Sequence, residues 1–352
     1  MGMQLLTIEI IRMLVLVTGS FILAWALSPI LSHALYYFKF YKNIRDSQRA
    51  PIMAALHAKK AGTPVGGGIL VWITLFIVTF GLELVRFWWP ESWLAKLAFL
   101  SRSETLLPLG ALFASAGVGL IDDWMNVRGK GPHGGGLSVK QRLFLYLIIA
   151  LIGAWWFFGK LGWDVLHVPF AGNYSVGWWY VIIFAFVIVA TSFSVNETDG
   201  LDGLAGGVLL TALGSYVVIA MVQGKFNMAA MLAVLIGGLV AFLWYNIGPA
   251  KYFMGDTGVM ALGTTLGVVA ALTNTIFLLP LFAFVCVIES LTVIVQVISK
   301  KFFKRKIFLS TPIHHHFEAI GWPESKIVMR FWMVAAVTSA LGLAIFLLDR
   351  AL

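Results

Sequence analysis

The sequence predicts an all-α, polytopic integral membrane protein with ten transmembrane helices and both termini on the outer side. Three observations predict it. Of 352 residues, 60% are hydrophobic and only 12% charged, whereas soluble domains carry about a quarter charged residues. Apolar runs close to the ~20 residues that cross a ~30 Å hydrocarbon core recur along the chain. The 25 Lys and Arg residues are divided unevenly between alternate loops.

The runs lie at roughly 11–37, 66–88, 105–121, 141–159, 177–195, 204–222, 228–245, 257–273, 276–299 and 328–349. The first holds the apolar stretch 13–27 with no small-residue cleavage pattern after it, and so reads as a helix rather than a cleaved leader. The third ends on Asp122-Asp123. Segment 196–203 separates the fifth from the sixth, and Asp256 opens the eighth, which is short, Gly-rich and the weakest signal of the ten. Glu289 lies within the ninth, and a basic cluster follows it. The tenth comes after Pro312-Ile313-His314-His315-His316. With no repeat, no soluble insert and one flexible glycine-rich loop at 129–136, residues 1–352 read as a single domain. The one cysteine, Cys286, leaves no disulfide framework within the chain.

Ten helices send their loops to alternate sides, so charge tests the count. One side holds 18 Lys and Arg, including Lys39, Lys42, Arg45, Arg49, Lys59, Lys60, Lys140 and Arg142. The other holds 7, namely Arg12, Arg86, Lys96, Arg102, Lys160, Lys225 and Arg350, which completes the 25. Cytoplasmic loops are enriched in Lys and Arg, so the first side is inside. The net charge of +9 is then mostly a topology signal, and no nucleic-acid partner is expected. Trp88, Trp89, Trp93, Trp155, Trp156, Trp163, Trp178 and Trp179 fall toward the outer interface, where an aromatic belt belongs. Lys300, Lys301, Lys304, Arg305 and Lys306 suit contact with anionic lipid on the inside.

The acidic residues Asp122, Asp123, Glu197, Asp199, Asp202 and Asp256 fall at the inside ends of three helix pairs. Adjacent carboxylates at a membrane boundary repel, and burying them calls for a compensating cation or proton. Asn196, Glu197, Asp199 and Asp202 place four acceptors within seven residues; a helix cap uses one such residue. Asp256 could cap its own helix or bind Mg²⁺, which takes one or two carboxylates with water and phosphate oxygens. Phe253 could pack in the core or stack on a flat heterocycle. Consecutive side chains on a helix diverge by about 100°, so His314, His315 and His316 cannot share one metal, and no Cys/His partners for zinc exist. Imidazoles can instead hydrogen-bond or neutralise phosphate. Carboxylates for Mg²⁺, basic groups for phosphate and an adjoining bilayer suit phosphoryl-type transfer to a lipid. The other function class is an ion-coupled transporter, whose carboxylates sit near the midplane of repeated halves; neither trait is evident.

Several of these segments together resemble the polyprenyl-phosphate N-acetylhexosamine-1-phosphate transferases. The likeness covers nearly the whole chain through Gly62-Thr63-Pro64, Asp122-Asp123, segment 196–203, Asn246 with Phe253 to Asp256, and Pro312 to Trp322. The run from Pro312 through His316 to Phe317-Glu318, then Gly321-Trp322-Pro323-Glu324, is similar to the muramoyl-pentapeptide branch. The GlcNAc-1-phosphate branch, the runner-up, lacks the three-His signature. The resemblance implies transfer of phospho-MurNAc-pentapeptide from UDP-MurNAc-pentapeptide to undecaprenyl phosphate, giving lipid I and UMP. It also implies Mg²⁺, a homodimer, and an active site on the cytoplasmic face of the bacterial inner membrane. Carried onto matching positions, Asp256 binds Mg²⁺, and Asp122 and Asp123 activate the lipid phosphate or assist the metal. Asn196, Asp199, Asp202, Asn246 and Phe253 shape the nucleoside pocket. Lys60, Lys140 and Arg142 meet phosphates, Glu289 belongs to the substrate site, and His314, His315 and His316 meet the phosphate or sugar. Five positions depart from the family pattern: Glu197 stands for an apolar residue, Val259 for Ser, Val65-Gly66 for Thr-Met, and Arg142 for Lys.

The lipid phosphate, with a second pKa of ~6, is largely dianionic at neutral pH. Direct attack then needs a carboxylate only for the last proton. A covalent phospho-Asp at Asp122 or Asp123 is the alternative.

Overall fold

In hydrocarbon every backbone N–H and C=O must be satisfied within the protein, and a helix does so within its own segment. The structure, a computed structural model, describes residues 2–41, 60, 62–132 and 135–352. Lys42, Arg45, Arg49 and Lys59 of the charge count, and part of loop 129–136, lie outside the described residues.

The helices are α1 (Gly2–Tyr37), α2 (Ile69–Trp88), α3 (Leu106–Val127), α4 (Val139–Ala154), α5 (Trp179–Thr198), α6 (Leu204–Val222), α7 (Phe226–Asn246) and α8 (Gly255–Leu272). They are followed by α9 (Leu279–Phe282), α10 (Phe284–Ile298), α11 (Ile313–Ala319) and α12 (Glu324–Ala351). Among the described residues nine helices are long and apolar enough to cross a bilayer: α1 to α8, with α4 extended to Lys160, and α12. The chain is a multi-pass membrane protein. The predicted ninth run, 276–299, is interrupted: Ala283, at φ −107° and ψ 27°, separates α9 from the 15-residue α10. Among the described residues the all-α expectation has one exception, a hairpin of β1 (Val165–Val168) and β2 (Gly172–Ser175) paired antiparallel at the end of the bundle away from Asp256.

The helix with the weakest sequence signal is the centre of the bundle. The best spanning window of α8 is 94% buried, against 22% for α1 and α12, and α3, α5, α6 and α2 pack around it. A helix surrounded by protein needs no long apolar side chains toward lipid; it needs small ones, so that neighbouring backbones can close in. A Cβ on Gly119 of α3 would run into the main chain at Asp256 and Thr257, and one on Gly263 would lie 2.9 Å from Ser192 Cα of α5. Hydroxyls supply the polar contacts between these helices: Ser115 donates to Thr264 Oγ1 at 2.9 Å, and Ser192 meets the same oxygen at 2.8 Å. Exposed Leu5, Ile8, Ile11 and Leu14 of α1 turn the apolar surface outward to lipid.

The bundle has two polar ends. At one end, Arg12 donates to Ala98 O at 2.7 Å and to Asn227 Oδ1 at 3.1 Å. Glu104 Oε2 there accepts from the N–H groups of Asn227 (3.0 Å) and Met228 (3.1 Å). The tryptophans of the predicted belt cluster at this end, with Trp88, Trp89, Trp93, Trp155, Trp178 and Trp179 all exposed. The other end holds Asp122, Asn196, Asp256 and His314. Close packing at α8 gives a direct test. Gly119→Ala should cost about 1–3 kcal/mol or more through overpacking. Gly117→Ala, with nothing within 4 Å of its added methyl, should be neutral or stabilising by up to ~1 kcal/mol. Thermal unfolding of the detergent-solubilised variants reads both.

Candidate active site

A helix leaves its first four N–H groups without intrahelical partners, and those of α8 point into the polar end of the bundle. Asp123, from the last turns of α3, satisfies two of them: Oδ1 accepts from Asp256 N and Oδ2 from Thr257 N, both at 3.0 Å. Gly255, at φ +76°, permits the approach, because a Cβ there would fall 2.6 Å from Asp123 Oδ2. Asp123 is 3% exposed, and its negative charge sits at the positive end of the α8 dipole. It is a helix cap supplied by a neighbouring helix.

Asp122 projects elsewhere. Its Oδ1 accepts from Leu137 N at 2.5 Å, at the close of the glycine-rich loop, and a Cβ on Gly136 (φ +78°) would come within 2.7 Å of that oxygen. Its Oδ2 lies 2.8 Å from Arg142 Nε, at an angle that makes the approach a charge contact rather than a hydrogen bond. Arg142, near the start of α4, also reaches Asp256 Oδ2 at 3.5 Å and donates to Asn196 Oδ1 at 3.2 Å. Asn196 Nδ2 then donates to Asp256 Oδ1 at 2.6 Å. The carboxylates of Asp122 and Asp256 share Arg142 and repel each other across it. Residues from α3, α4, α5 and α8 thus form one cluster of two carboxylates, one guanidinium and one amide.

A second cluster lies beside it. Lys60 Nζ donates to Asp202 Oδ1 at 2.7 Å and to Glu324 Oε1 at 2.6 Å, while Asp202 N donates to the same glutamate oxygen at 2.6 Å. Asp202 Oδ2 accepts from Ala250 N at 3.0 Å, and Asn246 joins in through Gly203 N at 2.9 Å and Tyr252 O at 2.9 Å. The segment before α2, the loop into α6, the end of α7 and the start of α12 are therefore pinned at one point. Burial disfavours the charge on Lys60, but the hydrogen bonds and charges of Asp202 and Glu324 outweigh it and hold its pKa above the ordinary 10.5.

The three histidines lie on or beside helix α11 and take separate partners. His314 and Glu289 of α10 are both fully buried, with Nδ1 to Oε2 at 2.9 Å. His315 Nδ1 meets Glu318 Oε2 at 2.6 Å, and His316 Nδ1 accepts from Leu309 N at 3.3 Å. The His314 ring lies against Gly200 so closely that a Cβ there would overlap it. The histidine segment is thereby seated on the loop that carries Asp199 and Asp202.

Asp122, Asp256, Arg142 and Asn196 form the first cluster, with Asp123 beneath it. Lys60, Asp202 and Asn246 form the second, and Glu289 with His314 a third. Asp199 and Phe253 are half-buried at the margins, and Phe253 joins the site by backbone, its N–H donating to Pro64 O at 2.8 Å and its O accepting from Gly67 N at 2.7 Å. Lys140 is exposed and lies two residues from Arg142, about 200° around the helix, so it stands apart from the clusters. Two participants carried no role in the sequence reading. Glu324 belongs to a quoted motif, but it binds Lys60 and Asp202 N only through folding. Leu137 N acts through the main chain, which no side-chain pattern reveals.

Among the described residues no three His, Cys, Asp or Glu side chains converge as a closed metal site. Mg²⁺ does not require one, since one or two carboxylates with water and phosphate oxygens suffice. Asp122 and Asp256 offer that donor set, and Asp122 Oδ2 has no hydrogen-bond donor.

Two predictions separate these roles. Asp123→Ala should lower stability by about 2–4 kcal/mol, from the lost cap and two unsatisfied buried N–H groups. Asp122→Asn, which keeps an oxygen to accept from Leu137 N, should cost less stability than Asp123→Ala. The alkaline limb of stability tests the second cluster. A raised folded pKa means that the Lys60 contribution is intact below the unfolded value of 10.5 and is lost as pH rises through the higher folded value. Lys60→Met should flatten that limb of a melting-temperature profile.

The model of glycosyl transferase family 4 matches residues 105–274, a segment running from α3 through α8 that contains Asp122, Asp123, Asn196, Asp202 and Asp256. A phospho-N-acetylmuramoyl-pentapeptide-transferase of Geobacillus sp. (strain WCH70) is 37% identical over 331 residues, 93% of this chain and 95% of that protein. The one from Anoxybacillus flavithermus is 38% identical over 330 residues, with the same coverage. The one from Rubrobacter xylanophilus is 38% identical over 301 residues, 82% of this chain and 85% of its own.

Proposed function

Because the chain belongs to the phospho-N-acetylmuramoyl-pentapeptide-transferase family, we propose that it transfers phospho-MurNAc-pentapeptide from UDP-MurNAc-pentapeptide to undecaprenyl phosphate. The products are lipid I and UMP. One observation supports the chemistry above all: Asp122, Asp256, Arg142 and Asn196 from four helices converge where the capped end of α8 meets the polar end of the bundle.

An oxygen of the lipid phosphate attacks the sugar-bearing phosphorus of the donor. One phosphoanhydride forms as another breaks, and UMP leaves with the electron pair. Asp122, with no hydrogen-bond donor on Oδ2, takes the last proton of the lipid phosphate. Asp123 positions: its two oxygens hold Asp256 N and Thr257 N, and a phosphoryl bond to it would give up the cap. This favours direct attack over a covalent phospho-Asp. Asp256 and Asp122 would hold Mg²⁺, which would draw charge from the pyrophosphate oxygens. Arg142 and Lys60 orient phosphates, and Arg142 does so as a planar fork where the family pattern has the point charge of Lys. Asn196, Asp199, Asp202, Asn246 and Phe253 border the nucleoside, and Lys140 meets phosphate from the rim. Glu289 holds His314, so that the histidine segment faces the phosphate or sugar.

The loops that the sequence assigns to one side carry 18 of the 25 Lys and Arg, which supports a cytoplasmic site with both termini outside. The interrupted α9–α10 segment makes the tenth crossing. The protein then resides in the bacterial inner membrane, as a homodimer.

Purified protein in detergent should release UMP and form lipid-linked product with UDP-MurNAc-pentapeptide. UDP-GlcNAc as a better donor would overturn the assignment, and activity without a sealed vesicle excludes pure transport. Asp256→Asn should lower turnover about 10²–10³-fold, the usual cost of losing one electrostatic stabiliser, and full Mg²⁺-dependent turnover in that variant would remove Asp256 as ligand. Labelled UMP should not exchange into the donor when no lipid acceptor is present; exchange would restore the covalent route.

A further inference from the structure

At the end of the bundle opposite Asp256 lies a cavity of about 360 Å³. It is walled by the hairpin, the α6–α7 turn, the α8–α9 turn and the end of α12. Nothing in the proposed transfer uses it.

Its polar lining is incompletely matched. Gln223 donates through Nε2 to Thr273 O at 2.7 Å, which fixes the orientation of the amide and leaves Oε1 buried with no partner among the described residues. The indole N–H of Trp163 is likewise buried without an acceptor. Two cations stand beside them. Lys225 Nζ donates to Leu272 O, and Arg350 donates to Val222 O at 3.3 Å, so each has N–H groups to spare. No carboxylate lies within ion-pair distance of either among the described residues. The acid in the lining, Asp349, is engaged by His167 at 2.6 Å and by Phe170 N at 2.5 Å. Glu104 influences Lys225 from farther off, while its Oε2 accepts from Asn227 N and Met228 N. Burial holds the Lys225 pKa below the ordinary lysine value; Glu104 raises it, and the like charge of Arg350 lowers it again.

A ligand completing this lining must bring negative oxygens for two cations and an indole N–H, and one donor for Gln223 Oε1. An ammonium donor would sit beside Lys225 and Arg350 and be repelled, so the donor is a hydroxyl. We propose that the cavity is a binding site for a hydroxylated phosphate anion of the phosphoglycerol type. Phe277, which lines the cavity and is 52% exposed, offers an apolar edge along which the acyl chains of a lipid bearing that headgroup can lie.

Delipidated protein in detergent is titrated with phosphatidylglycerol, phosphatidylethanolamine or phosphatidylcholine, and separately with free glycerol phosphate. Native mass spectrometry and the melting temperature report binding. Phosphatidylglycerol should bind about tenfold more tightly than the other two lipids, the value of one charge-assisted hydrogen bond. The preference should vanish in Lys225→Gln/Arg350→Gln. Trp163→Phe, which keeps the ring and loses only the N–H, should weaken binding without a folding defect. Equal stabilisation by free glycerol phosphate would identify a soluble ligand; stabilisation by the lipid alone identifies a headgroup site. The proposal is overturned if the cavity variants keep the preference, or if Lys300→Gln/Lys301→Gln at the other end abolishes it instead.

Discussion

The fold and the site both depend on how the amino end of α8 is satisfied. A helix buried on all sides cannot leave its first N–H groups to water, and Asp123 of α3 accepts two of them. Its neighbour Asp122 is rotated by about 100° on the same helix, so the cap that anchors Asp123 also aims Asp122 at Arg142 and Asp256. Two adjacent carboxylates, which would repel as a free pair, are thereby given different tasks. The small residues of α8 and α3 complete the arrangement, because the cap can form only where Gly119 and Gly255 let the backbones meet.

Burying acids at a membrane boundary is costly unless each is compensated. Arg142 lies between Asp122 and Asp256, Lys60 between Asp202 and Glu324, and His314 against Glu289. The Arg142 and Lys60 cations are natural partners for phosphate oxygens. An arriving pyrophosphate competes for Arg142 and Lys60 and leaves carboxylates in need of a new counter-charge, a role that suits Mg²⁺. Stability without ligand and affinity for ligand draw on one set of charges, so substitutions there should couple the two.

The opposite end is organised differently. Arg12, Glu104 and Asp349 bind mostly main-chain groups and so tie turns, helix ends and the hairpin together. Exposed tryptophans ring this end, as suits the level of lipid headgroups. Lys225 and Arg350 stand out because no carboxylate among the described residues lies within ion-pair distance of either.

Much was legible in the sequence, because hydrophobic length is a one-dimensional property. Nine runs became long helices, most with ends within about four residues of expectation, although α1 begins nine residues early at Gly2 and α3 runs six residues further to Val127, and Asp122, Asp256, Asn196 and Asp202 announced themselves as charged or polar side chains where apolar runs stop. Run 257–273 was hard to read for the reason that makes it central: a helix enclosed by protein is selected for small residues, not for hydropathy. The break at Ala283, the hairpin at Val165–Val168 and Gly172–Ser175, and the pairing of Glu324 with Lys60 left no clear local signature. By itself the sequence determined the membrane class, the polar end and the acids that populate it, since each follows from the transfer energy of residues read singly or in runs. Only the tertiary structure decided that Asp123 caps while Asp122 faces Arg142, and that three histidines take three partners, because those choices depend on which backbone approaches which side chain across helices far apart in the chain.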